Sequence, residues 1–442
     1  MKHLICLLSA GLLLLSACDV LDVQPQNAIP ASEAFKDKAG IERGIVGAYN
    51  GLQSLSYYGR SYGIFADLAA DNLAHPPNAT SANYRDVDNN AILPDNETVD
   101  GIWISIYDAI NVANNVIAQV PNITEMTEAE QNKALGEVYF LRALHHFNLL
   151  NYFGPIPIKT RPTIGIGDVN VPRDPVEEVY RQIIADLEFS AAHLPAGGPK
   201  IRASKWAAEA LLARVHLYRK DYPNAAAAAT RVIGSGQYEL LDNYAALFAS
   251  EGTGESIFEV DFTALDRNRI AEYNFPLTLN GRREVAPDET LTAAYPSGDA
   301  RWAATVANAG GQLYGIKYDD LSTGADNVLV LRLADMYLIR AEALAAQNGD
   351  LVVIRNDINQ VRNRAGLPDI QGGEHAALLA AIEQERRLEF ALEGHRWFDL
   401  VRTGRALDVL PKVTHINQTL FPIPFSELLT NTHDGMYQNP GY

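Results

Sequence analysis

Cysteine is almost missing from this chain, with two in 442 residues. One of them, Cys6, sits inside an N-terminal apolar run, so a chain that has lost this run keeps Cys18 alone. A single thiol excludes an intramolecular disulfide, even in an oxidising compartment. An excess of positive charge is also missing: 36 Lys and Arg face 54 Asp and Glu, for a net charge of −18. A surface of that sign repels phosphate backbones and excludes nucleic acid as a partner. No H-E-x-x-H, C-x-x-C, Walker or G-x-G-x-x-G pattern occurs, and GTGES at Gly252 lacks the lysine and spacing of a phosphate loop. His145 and His146 are adjacent, so they cannot form an i, i+4 ligand pair. The first seventeen residues, MKHLICLLSAGLLLLSA, are apolar but too short to span a bilayer as a helix. What remains, 47% hydrophobic and 20% charged, is ordinary for a globular protein with one large core or two smaller ones.

The N-terminal run has Lys2 ahead of its apolar stretch, which is the layout of a secretory signal peptide. It ends in LSAC, Leu15 to Cys18, and this tetrad resembles a bacterial lipobox, with small residues before a cysteine that receives a diacylglycerol. The expectation is a signal peptide over residues 1–17 and lipidation of Cys18. Several acyl chains on one residue anchor stably where a single chain does not.

Beyond a short tether the apolar residues fall into helical spacing. Ile41, Ile45, Ala48, Leu52 and Leu55 step by four and three. Further helices are predicted over Val99 to Val120, over Thr127 to Phe153, and from Asp174-Pro175 to Pro195, where the aspartate and proline read as a cap and first-turn residue. Two stretches have the form of tetratricopeptide hairpins, with Leu212-Ala213 facing Ala225 in one and Ala341 facing Val353 in the other. One hairpin cannot bury its own apolar face, so such units stack. The fold class is therefore mainly α, with a few short strands such as SIFEVDF. The chain divides into halves at residues 18–220 and 221–442 that form one integrated unit.

Two long irregular stretches interrupt the helices, Asp71 to Asp100 and about Gly252 to Asn327. Loops of that length in a compact domain are usually functional or disordered. The candidate ligand residues come from them: Tyr84, Arg85, Asn89, Asn90 and Trp302, with Asp71 and Asn72 at the start of the first loop. Sugar rings present C–H faces to aromatic planes while their hydroxyls seek Asn, Asp and Arg. Trp103, Trp206 and Trp397 lie in apolar helical patterns and read as core. GRSYG at Gly59 to Gly63 matches a hydrolase nucleophile elbow, but that motif needs a strand before it, and the preceding segment here reads as helix. Ser61 is expected to be a loop serine.

The densest chemistry lies in ERRLEFALEGHRWFDLVR, Glu385 to Arg402. Carboxylates beside a histidine are what acid and base catalysis needs. On one helix, Glu385, Glu389 and Glu393 share a stripe, and Gly394 ends it before HRWFDLVR starts the next, so the array also reads as a charge-laced hinge. This run closely resembles the signature of the SusD/RagB family of nutrient-binding outer-membrane lipoproteins. So do RLADMYLIRAEAL, NQVRNRAGLP, YFLRALHHFNLLNYFGPIPI and the ending FPIPFSELLTNTHDGMYQNPGY. The resemblance runs from CDVLDVQP to Tyr442.

The resemblance implies a SusD-like fold, with tetratricopeptide-like hairpins on one side and an irregular ligand-binding face on the other. It implies a cell-surface position in the outer membrane by the lipid, and a partner in a SusC-like TonB-dependent transporter that receives the captured oligosaccharide. It implies a binder without catalysis, with the EGHRWFDL segment as scaffold. The readings left open are a peptide-binding member of the same family, a repeat scaffold that binds only protein, and a surface glycoside hydrolase. The last needs two carboxyl groups roughly 5 to 9.5 Å apart across a cleft. No cofactor is expected. A structural calcium is conceivable, but no ligand spacing supports one.

Overall fold

A computed structural model describes residues 34–442. The apolar leader and Cys18 lie outside the described residues. Eight of the longer helices form a continuous array. Glu97–Gln119 packs on Glu128–Phe153, which packs on Val176–His193, followed by Lys205–Tyr218 and Tyr222–Gly234. The last of these packs on Leu333–Ala346 across the second irregular stretch, and Leu351–Arg364 and His375–Glu389 complete the row. Among the described residues no helix is long and apolar enough to cross a membrane.

Local chemistry sets the helix ends. Thr127 and Glu130 form a reciprocal capping box at the start of Glu128–Phe153. Asn96, Ser204 and Asp350 cap their helices through side-chain oxygens. Asp174 does not do this. Pro175 holds the cap position of Val176–His193, and the Asp174 carboxylate accepts instead from the Ile158 amide at 2.8 Å, pinning the GPIPI turn.

Small side chains let the hairpins close. Ala225, Ala228 and Ala229 are fully buried against Lys205–Tyr218 and its neighbours, as the first hairpin predicts. In the second hairpin Ala341 packs in one cluster with Ile354 and Ile358, while Val353 is only half-buried. The turn through Asn348, at φ +54°, and the Asp350 cap set a phase that sends Ile354 inward, one residue later than the spacing suggested.

The irregular stretches are ordered by pairing. Ser256–Val260 runs antiparallel to Val328–Arg332, Leu73–Ala74 pairs with Ala286–Pro287, and Val306–Ala309 with Gln312–Gly315. The first loop also carries a short helix, Ala82–Asp88. Arg173 ties the tail to the first half. Its guanidinium donates to the Phe153 and Pro155 carbonyls at 2.9 and 2.7 Å and to the Tyr437 carbonyl and Asn439 Oδ1 at 2.9 and 2.7 Å.

Candidate functional site

The charged run at Glu385–Arg402 becomes a buried ionic core. The helix stops at Glu389, so Glu393 lies in the following turn rather than on the same stripe. Arg332, at the end of its strand, donates to Glu255 at 3.0 Å, to both oxygens of Glu393 at 2.9 Å and to the Glu389 carbonyl at 2.8 Å, and it also pairs with the Glu389 carboxylate. Arg364 joins Glu255 to Glu389, Lys317 reaches Glu393 at 2.7 Å, and Arg301 grips Asp299 and reaches Glu385 at 3.0 Å. Arg362 completes the set on Glu385. Five cations thus face five carboxylates, and the Glu389 side chain is 0% exposed. The surrounding guanidiniums hold the Glu389 carboxyl well below its usual range despite burial.

A second network links Arg214 and Arg386 to Asp335, and Arg386 and Arg402 to Asp399. Burial and the nearby Arg214 lower His395 to about 3, which leaves it neutral. A buried carboxylate saturated with guanidinium donors, beside a histidine that does not take up a proton near neutrality, has no access to substrate and no proton to exchange.

GRSYG is absorbed by the same architecture. A turn rather than a strand precedes it, and Ser61 opens the helix Ser61–Leu68 instead of lying in a loop. A Cβ on Gly394, at φ +78°, would lie 2.9 Å from the Gly63 Cα, so the two motifs meet backbone to backbone. The Gly394 amide donates to Asp67 at 2.7 Å.

The candidate ligand residues separate into two groups. Asp71 and Asn72 are tied into the scaffold: Asp71 pairs with Arg387 and Arg396, and Asn72 donates to Asp67 at 2.7 Å and accepts from Arg387 at 3.2 Å. Asn90 is buried and donates to the Ala69 carbonyl at 3.1 Å. Tyr84 is buried too, with its ring against Phe65 and Tyr273. Arg85 and Asn89 are exposed, Arg85 pairing with Asp86. Trp302 is half-buried against Tyr295, on a helix whose first residue bonds to Ala365 beside the second hairpin.

The structure brings forward residues that periodicity gave no reason to choose. A surface cleft of about 530 Å³ lies between Lys38–Asn50, Glu97–Gln119 and the loop at 265–269. Its lining includes Asn50, Gln53, Ser105, Asp108, Arg267 and Arg269, a volume and polarity suited to a small ligand. Partial burial raises the Asp108 carboxyl, and its side chain makes no hydrogen bond among the described residues. Arg267 and Arg269 continue into a cluster with Arg60 and Arg282 around Glu272 and Tyr273. Arg60 lies over the Tyr273 ring at 4.5 Å and donates to its hydroxyl at 2.7 Å, and Arg282 lies over the same ring at 4.9 Å. The sequence signal was available in DRNR and NGRRE, two arginine pairs inside a loop already singled out.

Two other cavities are less open to ligand. One of about 380 Å³ between helices is walled by Glu342, Arg402, Glu383 and Arg405, which already pair with one another. The other, about 400 Å³, crowds Glu251, Glu259 and Asp326, and burial with these neighbours raises Glu251. Among the described residues no group of three or more His, Cys, Asp or Glu is placed to hold a metal ion.

Comparison with known proteins agrees with the architecture. Residues 19–217 match a family model described as starch-binding and associating with the outer membrane, and residues 312–442 match the SusD family model. SusD-like protein P38 of Formosa agariphila is 27% identical, covering 96% of this chain and 96% of its own. Starch-binding protein SusD of Bacteroides thetaiotaomicron is 26% identical over 72% of this chain and 74% of its own. Among solved structures, a SusD superfamily protein from Bacteroides vulgatus superposes with a TM-score of 0.83 at 21% identity, over 92% of this chain and all of that one. A laminarin-binding SusD-like protein gives 0.82 at 28% identity, with the same coverage. With the two family models together spanning about three quarters of its length, and with mainly helical SusD structures superposing on 92% of it, this chain belongs to the SusD family.

Proposed function

We propose that the protein captures oligosaccharides at the cell surface and passes them to a SusC-like TonB-dependent transporter, held at the outer membrane by lipid on Cys18. The observation that carries the binding half of this reading is the cleft of about 530 Å³, where the side chains of Asp108, Arg267 and Arg269 make no hydrogen bond among the described residues. Sugar hydroxyls need donors and acceptors together, and this lining supplies both. The names of relatives support the ligand class, since one binds starch and another laminarin. The reading is of a binder and not an enzyme, because the dense acid and base chemistry is locked inside the scaffold. The capture step is tested by native mass spectrometry of the purified protein with pooled oligosaccharides and a peptide digest. An adduct of intact sugar mass is expected, weakened by Asp108→Ala. A peptide adduct, or sugars shortened during incubation, overturns it. Transfer is tested by co-purification with the transporter, which a Cys18→Ala variant released from the membrane should still support in detergent.

A further inference from the structure

We infer that the glycan is acidic, and that the arginine cluster around Glu272 binds its carboxylate or sulfate groups. This rests on the oligosaccharide-binding reading and narrows it. Three observations carry it. First, Arg267, Arg269 and Arg282 approach Glu272 at 3.8, 3.5 and 4.0 Å, and none of their side chains makes a hydrogen bond among the described residues. Each guanidinium presents five N–H donors in a planar fork that matches a carboxylate or sulfate face.

Second, the cluster is under-neutralised. Arg282 also comes within 3.7 Å of Glu284, which the Thr80 and Ser81 amides at 3.0 Å and the Thr80 hydroxyl at 2.8 Å hold ionised, so three arginines, with Arg60 beside them over Tyr273, face two carboxylates. No other carboxylate of the described residues pairs with these three arginines. Such a patch on a chain of net charge −18 is a local reversal of field, which draws anions to one place and repels them elsewhere.

Third, the aromatic floor is covered. Two guanidiniums lie over Tyr273, and Tyr84 packs against it from below the surface, so a neutral sugar finds no free ring on which to stack. A site that offers charged donors and withholds its aromatic face selects for charge.

The test is retardation of the purified protein in native gels containing polygalacturonate, chondroitin sulfate, neutral laminarin or poly-glutamate. Retardation by at least one acidic polysaccharide and not by laminarin is expected, and the two acidic gels separate carboxylate from sulfate recognition. The Arg267→Ala/Arg282→Ala variant should bind the acidic polymer more weakly by about tenfold or more, the scale of losing a charge-assisted pair. Glu272→Gln, which removes the competing carboxylate, should bind it more tightly. Retardation by laminarin alone, equal retardation by poly-glutamate, or no change in either variant overturns the inference. Of these, laminarin binding alone leaves the oligosaccharide reading standing, whereas a blank with all polysaccharides overturns both.

Discussion

The largest buried polar networks of the two halves are built by opposite means. In the first half the network around Tyr57 is neutral, set apart from the buried Arg142–Asp186 pair of the same half. Tyr57 meets His145 Nδ1 at 3.1 Å, and Asn148 donates to the Tyr57 and Tyr58 hydroxyls at 2.6 and 2.9 Å while accepting from Tyr62 at 2.9 Å. In the second half the network is ionic, built on Arg332, Glu389 and their partners. A neutral network loses less when one member is trimmed, because a stranded neutral group costs about 1–3 kcal/mol. An ionic one is brittle, because removing one partner strands a buried charge. The ionic half is also the half that holds the loops: Arg387 and Arg396 grip Asp71, and the Gly394 amide grips Asp67. Brittleness and precise placement of the irregular face come from the same bonds.

The comparison breaks most sharply at Glu389. Glu389→Gln should lower stability by about 3–5 kcal/mol, read as a drop in the urea midpoint, because Arg332 and Arg364 lose their shared counter-charge. If the drop is below that of Tyr57→Phe, the two halves do not differ as argued. Arg173→Ala ranks next, at about 2–3 kcal/mol, since four charge-assisted bonds between the first half and the tail go together. Hydrogen exchange should then rise in residues 421–439 before it rises elsewhere. Tyr57→Phe should cost about 1–2 kcal/mol in the same urea series, because it leaves neutral groups of His145 and Asn148 short of a partner but strands no charge.

Acid sharpens the comparison with the smallest effect. Burial lowers His145 and His146 to about 3, so their contribution is complete above the ordinary histidine range and is lost as pH falls from about 6.5 towards 3. The ionic half has one such histidine, His395. Its carboxylates act lower: Asp399 is held near 2 by Arg386 and Arg402 against burial, so its contribution is lost only as pH falls from about 4 towards 2. Between pH 7 and 5, exchange protection of 139–153 should therefore weaken more than that of 385–403, and His145→Gln should reduce the difference. Equal weakening of both segments contradicts the assignment.

Helix positions were legible because spacing is local: the Ile41, Ile45, Ala48 stripe and the stretches Val99 to Val120 and Thr127 to Phe153 all form helices. Misreadings arose where a long-range partner won. Asp174 looks like a helix cap but bonds across to Ile158, and Glu393 looks helical but is drawn into a turn by Arg332 and Lys317. The candidate site was legible only as a region. Asn90, Asp71 and Tyr84 have the chemistry of ligand residues, and only the tertiary structure shows the contacts they make with Ala69, Arg396 and Tyr273. The three arginines around Glu272 lie within residues 267–282, where DRNR and NGRRE display them, and only the fold brings Arg60 to the same place, over Tyr273.

The Arg173 clamp has a consequence for how the molecule is made. The carbonyls of Phe153 and Pro155 and the side chain of Asn439 are almost three hundred residues apart, yet one guanidinium serves them all. A ribosome that has finished the first half has therefore produced a segment that cannot lock, because its latch is synthesised more than two hundred residues later. Chains cut short before Tyr437 should be cleared by proteases as unfinished goods, and a growing chain stays pliable until Tyr437 and Asn439 arrive.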